Sequence, residues 1–362
     1  MSQPRTSEPE DAAAETGAAA LFMARLLQPA PPPQIEPQPH TYISPSLTVS
    51  HSADEGPGVA SPRIPMVTAL LLAFGLVVAA AVSSMTHSGT ADTAAIAQGQ
   101  VQAGETASTL GARISLHLDV VSRLADSLSR QLARGTPPSR DELNPQVRDT
   151  LASVPDFVGG AVTFEPNALD GRDAEFAGQA PLYDATGRFM PYWSRKAMGS
   201  TEFTAEPIVF QDAPGANDWY DIPKKTGKVL LTEPYLYPVN GEQVLMASLV
   251  APIVVDGVFK GAVSADYPLD RLSRRIAQVV PPMGGQMMLV SNGGVYATHP
   301  DDRRLGQRAT ELPPEALQAI RQGRTDQFVD RDGHIHLLQP VVIHPDVPPW
   351  SLIIDFPLNA SR

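Results

Sequence analysis

Among its 362 residues this sequence has no cysteine. That excludes disulfides, thiolate-bound zinc and thiol nucleophiles, and it is compatible with an oxidising compartment without requiring one. Positive charge is scarce too: 27 Lys and Arg stand against 39 Asp and Glu, for a net charge of −12. No basic block stands out, which argues against nucleic acid as a partner. Aromatic residues make up only 6% of the chain. No glycine pattern leads a strand into a phosphate-binding helix, and His299 has no Ser or acid at triad spacing, so neither a nucleotide fingerprint nor a hydrolase site is read here. His334 and His336 alternate on one strand face, with His344 nearby. Without an accompanying Glu, Cys or HExxH helix they do not make a metal centre. The chain is read as a non-enzyme with no cofactor and no metal.

What the sequence has in quantity is apolar residues, 43% of the total. That supplies cores for two modules of about 100–150 residues plus extensions. From Ile64 to Met85 the run "IPMVTALLLAFGLVVAAAVSSM" contains no charge. As a helix it would reach about 33 Å, enough for a bilayer core of about 30 Å. Arg63 precedes the run and the next Lys or Arg is Arg113. The bias in basic residues therefore predicts a single-pass anchor, N-terminus cytoplasmic and everything after Met85 on the other side of the membrane. A cleaved leader ending near Ala81-Val82-Ser83 is the competing reading, opposed by the long segment 1–63 ahead of the run. That segment holds 11 of the 36 prolines and reads as a disordered cytoplasmic tail.

Beyond the run, Leu110, Ile114, Leu118, Val121, Leu124, Leu128 and Leu132 recur at spacings of three and four. This predicts an amphipathic helix of about 35–40 residues, ended by Gly135. Its stripe serves equally a homodimer interface or packing on the chain's own sheet. A second helix is expected at Ser139, where Ser139 and Glu142 have capping-box spacing. From residue 157 the period changes to strands: "FVGGAVTF", "GRFMPYWSR", then a meander whose turns are Asn240-Gly241 and Asp256-Gly257, dipeptides suited to positive φ. A helix follows from Leu269. A smaller module then starts with "QMMLVS" and "VYATH", continues with a helix near 313–322, and ends in strands near 326–330, 334–339 and 350–356. The fold class is α+β, with a helical segment at 90–155 and antiparallel sheet modules at 156–280 and 281–358.

Against this background, "NDWYDIPKKTGKVLLTEPYLYP" at 217–238 concentrates Trp219, Tyr220, Tyr235 and Tyr237, as ordinary core or as the walls of a pocket. Together with "PYWSR" (191–195), "APIVVDGVFKGAVSADYPLDRL" (251–272) and "GGVYATHPDDRRLG" (293–306), it makes the region from about 90 to 358 resemble the double Cache domain. These paired PAS-like modules are the extracytoplasmic sensors of bacterial chemoreceptors, histidine kinases and diguanylate cyclases. The resemblance implies a long helix beside two stacked modules, the membrane-distal one holding a small ligand. It implies that Trp219, Tyr220 and Tyr235 line that pocket and that Asp266 contacts a ligand amino group. With Tyr192, Arg195 and Tyr237 these form the expected binding set. Asp266 as N-cap of the following helix, and Trp219 as core, are the alternatives.

Relatives that bind α-amino acids carry an arginine where this chain has Asn217 and an aspartate where it has Tyr237. The carboxylate clamp is thus interrupted, with Arg195 or Lys196 as candidate substitutes, and an amine, an amino acid or an organic acid stays open as ligand. Family members also continue into a cytoplasmic output domain. None is read up to Arg362, so either a truncated sensor or one that acts through a cytoplasmic or membrane signalling partner is expected. A membrane-anchored interaction protein with a vestigial pocket is the second functional reading.

Overall fold

The computed structural model describes residues 66–358 except 198–199, 280 and 282–284, with side chains from Asp92 onward apart from Pro207. The Pro-rich tail expected at 1–63 lies outside the described residues, and the apolar run at 64–85 lies outside those with described side chains. Among the residues so described, no helix is long and apolar enough to cross a membrane.

Helix α1 (Met66–Ala133) extends well beyond the length that its pattern of large apolar residues predicts. Its buried stripe continues N-terminally through Ala107 and Ala103, small residues that such a pattern passes over. It ends as the sequence predicts. Gly135 takes φ +67°, its N–H donates to the Leu132 carbonyl (3.0 Å), and Thr136 N–H reaches the Gln131 carbonyl (3.0 Å). Helix α2 (Arg140–Ala152) opens on the expected capping box, with Ser139 N–H donating to Glu142 Oε2 at 2.9 Å.

The first sheet contains β1 (Gly159–Phe164), β2 (Pro191–Arg195), β3 (Phe203–Pro207), β4 (Leu230–Leu231), β5 (Tyr235–Val239), β6 (Glu242–Val255) and β7 (Val258–Pro268). Its antiparallel order is β3-β2-β1-β7-β6-β4, with β5 also pairing to β6. Helix α3 (Asp218–Thr226) lies over it, and α4 (Leu269–Ala277) leads out of it. Asn240-Gly241 and Asp256-Gly257 turn the two hairpins, all four residues at positive φ. The second sheet contains β8 (Gln286–Val290), β9 (Tyr296–Thr298), β10 (Asp326–Val329), β11 (His334–Val341) and β12 (Trp350–Pro357), in the order β10-β11-β12-β8-β9. Helix α5 (Pro314–Gln322) covers its outer face through Ala316 and Ile320.

One helix serves both sheets. The C-terminal half of α1 packs through Ile114, Leu118, Val121 and Leu128 with Ala247, Leu249, Val263 and Ala265 of β6 and β7. Its N-terminal half meets β11 and β12, where a Cβ on Gly99 would stand 2.8 Å from Leu337 and 2.9 Å from Phe356. A larger residue there would push the ends of both side chains aside. The apolar stripe is therefore used within the chain. The other face of the first sheet, bearing Tyr192, Asp266, Ser248 and Val250, points away from α1.

Candidate ligand-binding site

Four strands place one residue each in a row across that outer face. Ser194, Gly159, Asp266 and Ser248 pair in succession from β2 through β1 and β7 to β6. Asp266 is buried to 3% exposure. Its Oδ1 accepts a hydrogen bond from Ser248 Oγ at 2.6 Å, and among the described residues no Lys or Arg pairs with it. Ser248 has a single hydroxyl proton, so with the carboxyl ionised Tyr235 must donate to Ser248 across their 2.7 Å contact. The Ser248 N–H donates to Thr232 Oγ1 at 2.9 Å. Burial pushes the Asp266 carboxyl above its usual range, against the hydroxyls of Ser248 and Tyr192 that favour its anion. Asp266 is a strand residue. The N-cap position of α4 belongs to Pro268, which removes the capping alternative.

Three tyrosines surround this carboxyl. Tyr192 lies over Gly159, where any Cβ would collide with its hydroxyl. That hydroxyl is buried and makes no well-formed hydrogen bond, although it sits close enough to Asp266 to act on it electrostatically. The Tyr192 and Tyr237 rings are 5.5 Å apart, and Tyr235 meets Tyr237 edge-on at 6.4 Å. Burial raises all three phenols, Tyr237 to about 12. They are neutral hydroxyls at any physiological pH.

The cover is residues 208–217 followed by α3. Tyr237 Oη accepts the Val209 N–H at 2.9 Å. Asn217 Oδ1 accepts the Gln211 N–H (3.0 Å) and its Nδ2 donates to the Gln211 carbonyl (2.7 Å), closing the loop into a ring. Asn217 thus ties the cover down instead of capping α3. Phe210 stacks on Trp219 at 5.6 Å, and Tyr220 meets Phe259 edge-on at 5.3 Å. The Tyr220 hydroxyl is occupied elsewhere, donating to Glu165 and accepting from Arg188 at 2.5 Å. Burial alone would raise Glu165, but the Tyr220 hydroxyl and Lys224 outweigh it and hold the carboxyl low. The buried Trp219 Nε1–H has no acceptor among the described residues.

The structure therefore brings Tyr192, Tyr235, Tyr237 and Asp266 together. Trp219 and Tyr220 form an adjoining aromatic cluster that touches the first through Ile208 and Tyr235. Arg195 is elsewhere. It projects from the opposite face of β2, where its guanidinium donates to the carbonyls of Phe157 (2.9 Å), Ser200 (2.8 Å), Leu151 (3.2 Å) and Val154 (3.2 Å). These include the Leu151 carbonyl in the last turn of α2, an ordinary place for a cation. Lys196 pairs with Glu202 at the surface. Ser248 and Gly159 are silent in the sequence, because a serine and a glycine inside apolar strands carry no signal until the register is known. Among the described residues no group of three or more His, Asp or Glu is placed to hold a metal. His334 pairs with Asp355 and His336 with Asp330.

Residues 143–274 match the family described as methyl-accepting chemotaxis protein-like, first PDC sensor domain. The chain is 32% identical over 237 residues to the methyl-accepting chemotaxis protein TlpQ of Pseudomonas aeruginosa, a match covering 61% of this chain and 33% of that protein. It is 27% identical over 128 residues to the methyl-accepting chemotaxis protein PscA of Pseudomonas syringae pv. tomato, covering 35% of this chain and 20% of that one. These matches span a third or less of the curated relatives' length. Among solved structures, the extracellular domain of mmHK1S-Z3, described as a histidine kinase, superposes with TM-score 0.63 at 27% identity, covering 74% of this chain and 95% of that one. Methyl-accepting Chemotaxis protein X shares the fold with TM-score 0.58 at 23% identity, covering 74% and 98%. The similarity is to sensor domains of chemoreceptors and of a histidine kinase. The chain carries a double-Cache, PDC-like periplasmic-type sensor domain homologous to those of chemoreceptors and sensor kinases.

Proposed function

We propose that this protein is a membrane-anchored periplasmic sensor whose first module binds a small amine, with Asp266 receiving the ammonium and Tyr192, Tyr235, Tyr237, Trp219 and Tyr220 enclosing the rest. One observation carries the reading. Asp266 is a buried carboxylate without a cationic partner among the described residues. An ionised carboxylate removed from water is costly unless paired, and a ligand ammonium supplies the missing charge. Aromatic faces at cation–π range add about 0.5–2 kcal/mol. A carboxylate on the ligand finds no counterpart, since Arg195 is committed to carbonyls and Asn217 to its loop. An amine without an α-carboxylate fits better than an amino acid.

The anchor reading rests on the charge-free run at 64–85 with Arg63 at its edge. Signalling as a homodimer, through a membrane or cytoplasmic partner, is what chemoreceptor relatives suggest. A thermal-shift screen of the purified protein against amines, amino acids and organic acids tests the ligand class. A ligand at a hundredfold excess over Kd adds about 2.7 kcal/mol of stability. Shifts with amines alone are expected. Shifts confined to acids overturn the reading, and no shift with any compound leaves an interaction module with a vestigial pocket.

A further inference from the structure

A cavity lies where the two modules meet. It is an open cleft of about 250 Å³ beneath α3 and the β4–β5 connection, and its far wall comes from the second module. Trp219, Tyr235 and Trp350 form aromatic walls, while Asp218 and Glu233 stand among the lining residues. Among the described residues no Lys, Arg or His lines it. The Asp218 carboxylate makes no hydrogen bond or ion pair within the described residues. Glu233, which is exposed, accepts from the Ser291 hydroxyl and, at 2.9 Å, from the Gly293 N–H, both neutral donors. The ion pair in the neighbouring chain segments, Lys228 with Asp346 at 2.8 Å, is already balanced.

Three rings, with two solvent-exposed carboxylates that have no cationic partner among the described residues, line this small cavity and describe the complement of one chemical class. We propose that this junction is a second binding site, for a small aromatic monocation, distinct from the site at Asp266. The volume lies at the small end for ligand pockets and suits one ring with a short ammonium arm. Ring faces attract the cation as well as the ring edge. An occupant here touches both modules, so its binding favours their observed packing over any arrangement that separates Glu233 from Ser291 and Gly293. Trp219 and Tyr235 are common to both sites, the Tyr235 ring lining the junction while its hydroxyl is held by Ser248.

The probe is phenethylamine, with phenylacetate as the same frame of opposite charge. The full chain is labelled with 5-fluorotryptophan, whose three reporters are Trp193, Trp219 and Trp350. Trp193 is the internal control, since its indole N–H is bound to Asn144 outside the cavity. The titration is run in an Asp266→Asn background, so that failure of the first site does not decide the result. Phenethylamine should move Trp219 and Trp350 saturably while Trp193 stays, and phenylacetate should move neither. Asp218→Asn and Glu233→Gln should each weaken the effect by about two- to fivefold, as expected of partly exposed charge pairs. Ile222→Tyr, which fills the cavity from the exposed side of α3, should abolish it. Equal response to phenylacetate, no response to millimolar phenethylamine, or an Asp218→Asn titration superimposable on its parent overturns the proposal. The last criterion stands even if the Ile222 variant fails to fold.

Discussion

Ser248 stands opposite Asp266 because of a bulge near the far end of their hairpin. The β6–β7 ladder begins Val255 with Val258 and Val254 with Phe259, then skips Lys260 so that Ile253 pairs with Gly261. Without that extra residue the two-residue turn would set Ala247 opposite Asp266. With it, a hydroxyl reaches the carboxylate at 2.6 Å and links it to Tyr235. One inserted residue decides what the buried charge sees.

Replacing that charge separates stability from binding. In Asp266→Asn the buried anion is gone but the shape remains. Burial raises the folded-state pKa, so the wild-type carboxyl destabilises the fold once pH exceeds that value and does no harm below the unfolded value. The variant should therefore melt higher than wild type at pH 7 without ligand, with the difference disappearing in acid. Its affinity for an amine should fall at least about a hundredfold, because the ligand ammonium is stranded without its partner. Melting curves at two pH values and a calorimetric titration read both effects. A lower melting point with unchanged affinity would make Asp266 purely structural.

Amine affinity of the wild type should also fall as the pH is lowered. Only the ionised carboxyl pairs with an ammonium, so affinity should drop about tenfold per pH unit once pH is below the raised pKa of the free protein. The measurement is Kd against pH with a permanently charged ligand, such as a quaternary ammonium hit, which removes titration of the ligand itself. A flat profile down to the ordinary carboxylate range contradicts the role assigned to burial.

Ser248→Ala should be destabilising in spite of its small size. It leaves the Tyr235 hydroxyl and one carboxylate oxygen without a partner, at about 1–3 kcal/mol for each stranded group. The Asp266 pKa should move further upward, since a hydrogen bond favouring the anion is lost. Chemical denaturation and the carbonyl NMR shift of Asp266 across pH report the two consequences.

Tyr192→Phe works in the opposite sense. Its hydroxyl is buried with no well-formed partner but favours the Asp266 anion, so removing it should leave the ligand-free protein as stable or slightly more so in acid, where that carboxyl is neutral. If a bound amine or its water uses that hydroxyl, affinity should fall by about fivefold or more, the worth of one hydrogen bond near 1 kcal/mol. Unchanged binding together with lost stability would show that the hydroxyl is satisfied in solution.

Arg195→Ala should affect folding and spare ligand selectivity. Its guanidinium holds several buried carbonyls and stacks over Phe203 at 4.9 Å. Losing it should cost at least about 1–3 kcal/mol, read by denaturation, with the rank order of ligands preserved. Loss of binding to acids alone would instead return Arg195 to the pocket.

Much of this architecture is legible along the chain because it depends on neighbours in sequence. The capping box at Ser139, the stop at Gly135 and both hairpin turns need only a few adjacent residues. The helix and strand periods report which face is apolar, whatever that face meets. The site residues divide along the same line. Trp219, Tyr220, Tyr235 and Asp266 draw attention by type and by resemblance, whereas Ser248, Gly159 and the loop role of Asn217 are silent in one dimension.

What the sequence determined by itself is the kind of most elements and their order, the uneven distribution of charge, and the concentration of aromatic residues at 217–238. Tertiary structure alone decided which side chains share a face. Arg195 lies an odd number of positions after Tyr192, so the pleat sends it to the opposite side of β2 and onto the end of α2. The bulge at Lys260 then shifts β6 by one residue and delivers Ser248 to Asp266. Both outcomes follow from a strand's period of two: a single step of register exchanges every side chain between the helix-facing core and the outer face, and nothing local in the sequence records that step.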